Sequence, residues 1–220
     1  MTIRATWQGT TIQGSGHLLG VRQHFIRFAG CSVKTCPIRR DCDEVFSLNK
    51  MNGYRVEVEE VIDRAVQEVG TGGWLHITGG EPTDQYEELE ELVKQAHRRK
   101  LKVHIQTSGV RAVEIPYDWL TISPKVPARH LEQRYGQEII MVYEDQPLED
   151  LRAYMETTSF WYYYLQPKWE SREGGKGTAT NGPETAEAVA RLRVDTDVPR
   201  HFNGQDWMMT IQAHKYWGVK

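Results

Sequence analysis

Short apolar runs alternate with amphipathic stretches along most of the chain. Residues 3–12 predict an extended piece or hairpin, and the β-branched and aromatic residues at 23–29 predict a strand. Apolar residues at helical spacing from Val58 to Val69 predict a helix. By the same criteria, further strands are predicted at 74–78, 101–106, 119–122, 138–142 and 160–165, and further helices at 84–99, 148–156 and 184–192.

Strands that alternate with helices indicate parallel pairing. A closed eight-stranded barrel typically needs about 250 residues, and this chain has 220. The pattern therefore predicts an α/β fold, an incomplete (partial) TIM-type barrel of about six βα units with an N-terminal extension. Residues 1–220 are expected to form a single domain, with its chemistry at the carboxyl ends of the strands.

Composition narrows the class of protein. The net charge is −3, and the basic residues are scattered, so no extended nucleic-acid surface is indicated. No apolar run reaches the roughly 20 residues that span a bilayer. The N-terminus lacks the apolar core of a signal peptide. We therefore expect a cytoplasmic protein with no membrane or nucleic-acid partner.

One stretch breaks the strand–helix rhythm. Residues 170–183 are Gly-rich and polar. A flexible surface loop is the simpler interpretation. A mobile lid over the site is the alternative.

The three cysteines lie in one short segment, spaced Cys31-x4-Cys36-x5-Cys42. An odd number excludes a closed disulfide framework. Three thiolates can bind three corners of a four-iron cluster and leave one iron open to substrate. The rival is a structural zinc site, but zinc ligands usually come in pairs two to four residues apart. The spacing alone does not separate cluster from zinc.

Two motifs together resemble the radical S-adenosylmethionine superfamily. Phe25-Ile26-Arg27-Phe28-Ala29-Gly30-Cys31 is similar to its first strand running into the cluster loop. Thr78-Gly79-Gly80-Glu81-Pro82 is similar to its glycine–glycine–glutamate motif after the second strand. Glycines allow close backbone approach to a ligand, and a glutamate can accept hydrogen bonds from an amine cation.

Four further motifs resemble the 7-carboxy-7-deazaguanine synthase family, in the family's order along nearly the whole chain. They are Thr11-Ile12-Gln13-Gly14-Ser15-Gly16, Ser123-Pro124-Lys125, Leu165-Gln166-Pro167 and Gln212-Ala213-His214-Lys215.

The resemblance implies a reaction and its cofactors. Flavodoxin or ferredoxin reduces a four-iron four-sulfur cluster, which cleaves S-adenosylmethionine to a 5′-deoxyadenosyl radical. The radical takes a hydrogen from 6-carboxy-5,6,7,8-tetrahydropterin, the ring contracts, and ammonia leaves. The product is 7-carboxy-7-deazaguanine, a precursor of queuosine-type deazapurines. The family also uses Mg²⁺ and forms homodimers.

The resemblance also implies residue roles. Cys31, Cys36 and Cys42 would bind the cluster. The S-adenosylmethionine site would comprise Gly79, Gly80, Glu81, Ser108, Ser123, Lys125 and Gln166. The pterin site would comprise Gln13, Ser15, Arg27 and His214. Arg27 suits a carboxylate because its planar fork can form two parallel hydrogen bonds.

Three features depart from the family pattern. The superfamily's usual cysteine spacing is x3 then x2, so the shape of this cluster loop differs. The family's Gln-Gly-Glu-Gly turn has Ser15 at the acidic position, which removes an acceptor for pterin N–H groups. The family's Cys-Asp-Thr has Glu44 at the threonine that contributes to Mg²⁺ binding. Glu44 is either a replacement Mg²⁺ ligand or an ordinary solvated acid.

Three alternatives stay open on the sequence. One is a radical enzyme that activates glycyl-radical proteins, and another is a relative with an altered substrate. An activase would give no role to Gln13, Arg27 and His214. The third is a non-catalytic zinc-binding interaction module, which would bind colourless metal and ignore S-adenosylmethionine.

Overall fold

The structure is a computed structural model that describes residues 1–40, 42–171, 177–194 and 206–219. Its strands are β1 (Thr2–Ile12), β2 (Arg22–Phe28), β3 (Tyr54–Glu57), β4 (Trp74–Gly79), β5 (Lys102–Thr107), β6 (Trp119–Ile122), β7 (Tyr135–Tyr143), β8 (Ser159–Pro167), β9 (Trp169–Ser171), β10 (Gly177–Ala179) and β11 (Trp207–Met209). Its α-helices are α1 (Val58–Val69), α2 (Tyr86–Arg98), α3 (Leu148–Thr157), α4 (Gly182–Val194) and α5 (Ala213–Trp217).

Nine strands form one mostly parallel sheet in the order β11-β8-β7-β6-β5-β4-β2-β1-β3. Within this sheet, the neighbours from β2 along to β11 are all parallel, whereas β1 pairs antiparallel with both β2 and β3. The strands β9 and β10 form a separate antiparallel pair. The fold is therefore mixed α/β with a mostly parallel sheet, as the sequence predicts, and the antiparallel strands β1 and β3 lie at one edge of that sheet. Parallel pairing brings the carboxyl ends of β2 and β4–β8 to the same edge of the sheet.

The two faces of the parallel strands differ in polarity because side chains alternate across a strand. One face joins the helices in a single apolar core. Leu75 and Ile77 of β4 and Val103 and Ile105 of β5 are all fully buried in it. The helix α1 contributes an apolar stripe to this core and ends at Gly70, whose positive φ of 75° closes the helix.

The opposite face carries a buried polar network across five strands. Gln23, His76, His104, Thr121 and Glu138 are all fully buried. Gln23 Oε1 lies 2.8 Å from His76 Nδ1 and 3.1 Å from His104 Nδ1. His104 Nε2 lies 2.8 Å from Thr121 Oγ1, which donates to Glu138 Oε1 at 2.6 Å. Burial lowers the pKa of His104 to about 3, so its imidazole is neutral near pH 7, and burial raises the pKa of Glu138.

The predicted helices and parallel strands are confirmed, with shifted ends. The helix predicted at 84–99 begins later, at Tyr86. Residues Pro82–Gln85 instead form a 3-10 turn, capped by the Glu81 side chain on Thr83 N. The sequence does not predict the short strands β3, β9, β10 and β11, since the first three lack the mostly apolar run of β6 and β11 has only three residues.

The Gly-rich stretch at 170–183 is partly ordered into secondary structure. It contains the end of β9, all of β10 and the start of α4. Residues 172–176 lie outside the described residues, so the lid interpretation stays a prediction. In the described ranges, no helix is both long and apolar enough to cross a bilayer.

Candidate active site

One cavity collects every site residue that the sequence predicted. It opens at the carboxyl ends of the parallel strands, where α/β folds place their chemistry. It is lined by Gln13, Ser15, Arg27, Cys31, Cys36, Cys42, Glu44, Gly79, Gly80, Glu81, Ser108, Ser123, Lys125, Gln166 and His214. These residues thus lie around the same cavity, whereas the role of each one stays a prediction.

The cysteine loop forms one wall of this cavity. All three thiols are free and half-buried, and burial raises the pKa of Cys31 and Cys42. Arg39 shapes the loop from within, because its Nη1 donates to the Val33 carbonyl at 3.2 Å and the Cys31 carbonyl at 3.5 Å. Among the described residues, no three His, Cys, Asp or Glu side chains are close enough to hold a single metal ion.

The glycine pair after β4 allows two backbone segments to meet. A Cβ on Gly79 would lie 2.2 Å from the Phe28 carbonyl oxygen, and one on Gly80 would lie 2.1 Å from the Gly30 carbonyl oxygen. Gly80 N donates to Phe28 O at 2.9 Å, and Glu81 N donates to Gly30 O at 2.8 Å. These glycines therefore hold the carboxyl end of β4 against the start of the cysteine loop, a role that the sequence did not predict.

The Glu81 carboxylate is enclosed by donors from the chain itself. Its Oε1 accepts from Thr83 N at 3.1 Å, from Thr83 Oγ1 at 2.8 Å and from Thr107 Oγ1. Its Oε2 accepts from Ser108 N at 2.9 Å and from Ser108 Oγ. Glu81 is only 1% exposed. It ties the ends of β4 and β5 together. The amine of a ligand would therefore have to share these oxygens with the five donors or be attracted to the carboxylate without a direct hydrogen bond.

Arg27 pairs with an acidic residue of the cysteine loop. Its Nη1 lies 2.8 Å from Glu44 Oε1, and both side chains are partly exposed. The Arg27 guanidinium also lies 5.9 Å from the centre of the Trp7 ring. Burial raises the pKa of Glu44 although Arg27 acts in the opposite direction. Glu44 is therefore ion-paired in this structure and is not an isolated solvated acid.

The turn at residues 13–16 packs against the C-terminal segment. A Cβ on Gly14 would lie 1.8 Å from His214 Nδ1, so only glycine leaves room for the imidazole there. Ala213 N donates to Gly14 O at 2.8 Å, and Gly16 N donates to Thr210 Oγ1 at 3.0 Å. Burial lowers the pKa of His214, which favours its neutral form.

Polar side chains just after β6 and at the end of β8 line the rest of the cavity. Lys125 Nζ donates to Ser123 Oγ at 2.7 Å. Burial lowers the pKa of Lys125, although the nearby cysteines and acids act to raise it. Gln166 is 5% exposed at the end of β8.

Three cavity residues received no role from the sequence. Asp43 Oδ2 accepts from Lys215 Nζ at 2.8 Å and from Gln212 Nε2 at 3.1 Å. Burial acts to raise the pKa of Asp43, but Lys215 and Gln212 outweigh it and lower that pKa. The motifs containing these residues were recognised, but only a tertiary contact reveals that they pair.

The chain resembles known synthases over nearly its whole length. It is 29% identical over 237 residues to the 7-carboxy-7-deazaguanine synthase of Nitratidesulfovibrio vulgaris, covering 100% of both chains. It is 29% identical over 225 residues to the synthase of Bradyrhizobium diazoefficiens, covering 96% of this chain and 95% of that protein. For the synthase of Synechocystis sp. the identity is 27% over 217 residues, with 96% and 90% covered.

The fold is also similar to a solved structure. The crystal structure of QueE from Escherichia coli superposes with a TM-score of 0.66 at 21% identity and covers 97% of this chain and 95% of that one. No family model matches the chain. The resemblance inferred from the motifs is confirmed by these full-length similarities.

Proposed function

We propose that this protein is a 7-carboxy-7-deazaguanine synthase, a radical S-adenosylmethionine lyase. It contracts the ring of 6-carboxy-5,6,7,8-tetrahydropterin with loss of ammonia, on the route to queuosine-type deazapurines. One observation carries the proposal: motifs spread from Gln13 to His214 meet around a single cavity. The full-length similarity to synthases supports it.

The finer architecture is part of this proposal. The parallel strands would form an incomplete TIM-type barrel of about six βα units, within one domain spanning residues 1–220. The active protein would be a homodimer that receives its electron from flavodoxin or ferredoxin. The cytoplasmic location expected from the sequence stays a prediction.

Cys31, Cys36 and Cys42 would hold a four-iron four-sulfur cluster. The three thiols line one cavity, and three thiolates can bind three irons of such a cluster and leave the fourth iron open. When bound and reduced, the cluster supplies the electron that cleaves S-adenosylmethionine. Ligand thiols must be deprotonated, so the protein has to release protons as it binds the cluster.

The ends of β4, β5, β6 and β8 would bind S-adenosylmethionine. The negative charge of Glu81 would attract the methionine amine, while its five donors keep the carboxylate fixed. Gly79 and Gly80 would present backbone groups beside it. Ser108, Ser123, Lys125 and Gln166 would line the remainder of this pocket.

Arg27 would bind the substrate carboxylate, with Gln13, Ser15 and His214 around the pterin ring. Gln13 Oε1 accepts from Gly14 N at 3.0 Å, which leaves Nε2 as its donor group. That Nε2 is buried and has no partner among the described residues. Glu44 is the proposed Mg²⁺ ligand, and the ion would share its carboxylate with Arg27.

Reconstitution under anaerobic conditions tests the assignment of the cluster. The wild-type protein should bind about four iron and four sulfide per chain and cleave S-adenosylmethionine to 5′-deoxyadenosine. Cys36→Ala should lose both the cluster and the cleavage. A full cluster in that variant would refute the three-cysteine site.

The same assay separates the competing functions. A synthase converts the carboxytetrahydropterin, whereas a relative with another substrate cleaves S-adenosylmethionine without forming the deazaguanine. An activase would also leave the pterin unchanged but would install a radical on a partner protein. A zinc module would bind colourless metal and show no cleavage.

A further inference from the structure

The C-terminal segment, residues 207–217, joins three separate walls of the cavity. Lys215 Nζ donates to Asp43 Oδ2 at 2.8 Å, beside Cys42 in the cysteine loop. Ala213 N and the Thr210 hydroxyl bind the turn at 13–16. The Lys215 amine also lies 5.6 Å from the centre of the Trp169 ring.

The ion pair between Lys215 and Asp43 joins a mostly buried lysine to an exposed carboxylate and is supported by a second hydrogen bond. The Lys215 side chain is 16% exposed. Gln212 Nε2 donates to the same Asp43 oxygen at 3.1 Å, so two residues of the segment hold one carboxylate. Because the Asp43 carboxylate is 42% exposed, the ion pair alone stabilises little, and the two bonds to one oxygen are what define its geometry.

The consequence is a mechanical connection between the cysteine loop and the turn at 13–16. Asp43 does not bond the turn, and the turn bonds the C-terminal segment at Gly14 and Gly16. Fixing Asp43 therefore also fixes the position of the segment against which the turn rests.

We propose that Asp43 and Lys215 are positioning residues, which hold the cysteine loop in register with the turn at 13–16 through the C-terminal segment. The proposal rests on the proposed function for its chemical meaning, since the radical source lies at the loop and the pterin at the turn. A hydrogen transfer requires the reacting atoms to be about 3–3.5 Å apart, and a displacement of about 1 Å can cost 100-fold in rate.

The first test uses the protein without its cofactors. Lys215→Met removes the charge and keeps the length of the side chain. Amide exchange measured by NMR should accelerate at least about tenfold at Gly16 and Ala213, whose N–H groups are bonded to Thr210 and to Gly14 and not to Lys215. Lys215→Arg should restore wild-type exchange. Lys102→Met is the matched control, since Lys102 also lies over a tryptophan, Trp74, but away from the cavity.

The second test measures, in the reconstituted enzyme, how much deazaguanine forms for each S-adenosylmethionine that is cleaved. Lys215→Met should still cleave S-adenosylmethionine, but the ratio of deazaguanine to 5′-deoxyadenosine should fall at least about tenfold. Lys215→Arg should recover most of this ratio. Asp43→Asn removes the charge of the same ion pair from the other side and should reproduce both effects, so a single misfolded variant cannot decide the outcome.

The proposal is overturned if exchange at Gly16 is unchanged in both Lys215→Met and Asp43→Asn. If the wild-type protein is a synthase and the ratio of deazaguanine to 5′-deoxyadenosine is unchanged in both variants, the proposal is overturned as well. If the wild-type protein forms no deazaguanine, the proposed function fails, and the exchange measurement alone decides whether the connection exists.

Discussion

Replacing Glu81 with glutamine should destabilise the protein even without cofactors. Glutamine keeps the shape of the side chain but turns one acceptor oxygen into an NH2 group. Each Glu81 oxygen accepts from a backbone N–H, of Thr83 at 3.1 Å or of Ser108 at 2.9 Å. Hydroxyl donors can rotate and accept from the new NH2, whereas a backbone N–H cannot. In either orientation of the amide, one buried N–H therefore loses its partner.

The structure sets the size of this effect. An orphaned buried donor costs about 1–3 kcal/mol, and the other hydrogen bonds lose their charge assistance. We expect the free energy of unfolding to fall by about 2–4 kcal/mol, measured by urea denaturation of the cofactor-free protein. Glu90→Gln is the control, because Glu90 is exposed on α2 and should change stability by less than about 0.5 kcal/mol. Equal stability of the two variants would refute the donor cage around Glu81.

Three further predictions follow from other parts of the cavity and the core. Glu44→Gln should weaken stimulation by Mg²⁺ severalfold, because a neutral amide is a poorer ligand than a carboxylate; an unchanged Mg²⁺ titration would remove this residue from the metal site. Gly14→Ala should lower kcat/KM about 10–100-fold, because the new Cβ displaces the His214 ring; Gly182→Ala, where a Cβ meets nothing within 4 Å, is its control. Burial lowers the folded-state pKa of His104 to about 3 from an ordinary value of 6.5, so its stabilisation is complete above pH 6.5 and declines toward pH 3. At pH 5 this residue alone should cost about 2 kcal/mol relative to pH 7.5. His104→Gln should show a correspondingly shallower pH dependence in urea denaturation, and an unchanged slope would contradict the neutral buried imidazole.

The parallel strands could be predicted because their buried residues leave a local signal. Leu75 and Ile77 flank His76 in a short apolar run, and Val103 and Ile105 flank His104 in the same way. Apolar and polar residues alternate in these strands because one face of the sheet packs against the helices and the other carries the polar network. The sequence does not reveal that the two histidines meet through Gln23, since that contact joins three strands.

The cavity was predictable through its motifs, and its internal bonds were not. The sequence identifies glycine–glycine–glutamate as a cofactor motif, whereas the donors around Glu81 come from the turn after β4 and from the end of β5. Lys215 and Asp43 lie 172 residues apart, so no local pattern could pair them. The sequence allows Glu44 to be a metal ligand or a solvated acid, and its ion pair with Arg27 appears only in three dimensions.

The most direct test of the central claim is an anaerobic assay with ring-deuterated 6-carboxytetrahydropterin, S-adenosylmethionine, dithionite and Mg²⁺, read by mass spectrometry. A synthase should form 7-carboxy-7-deazaguanine and ammonia, and the 5′-deoxyadenosine should carry deuterium from the substrate. Unlabelled 5′-deoxyadenosine without the deazaguanine, from protein with an intact cluster, would contradict the account.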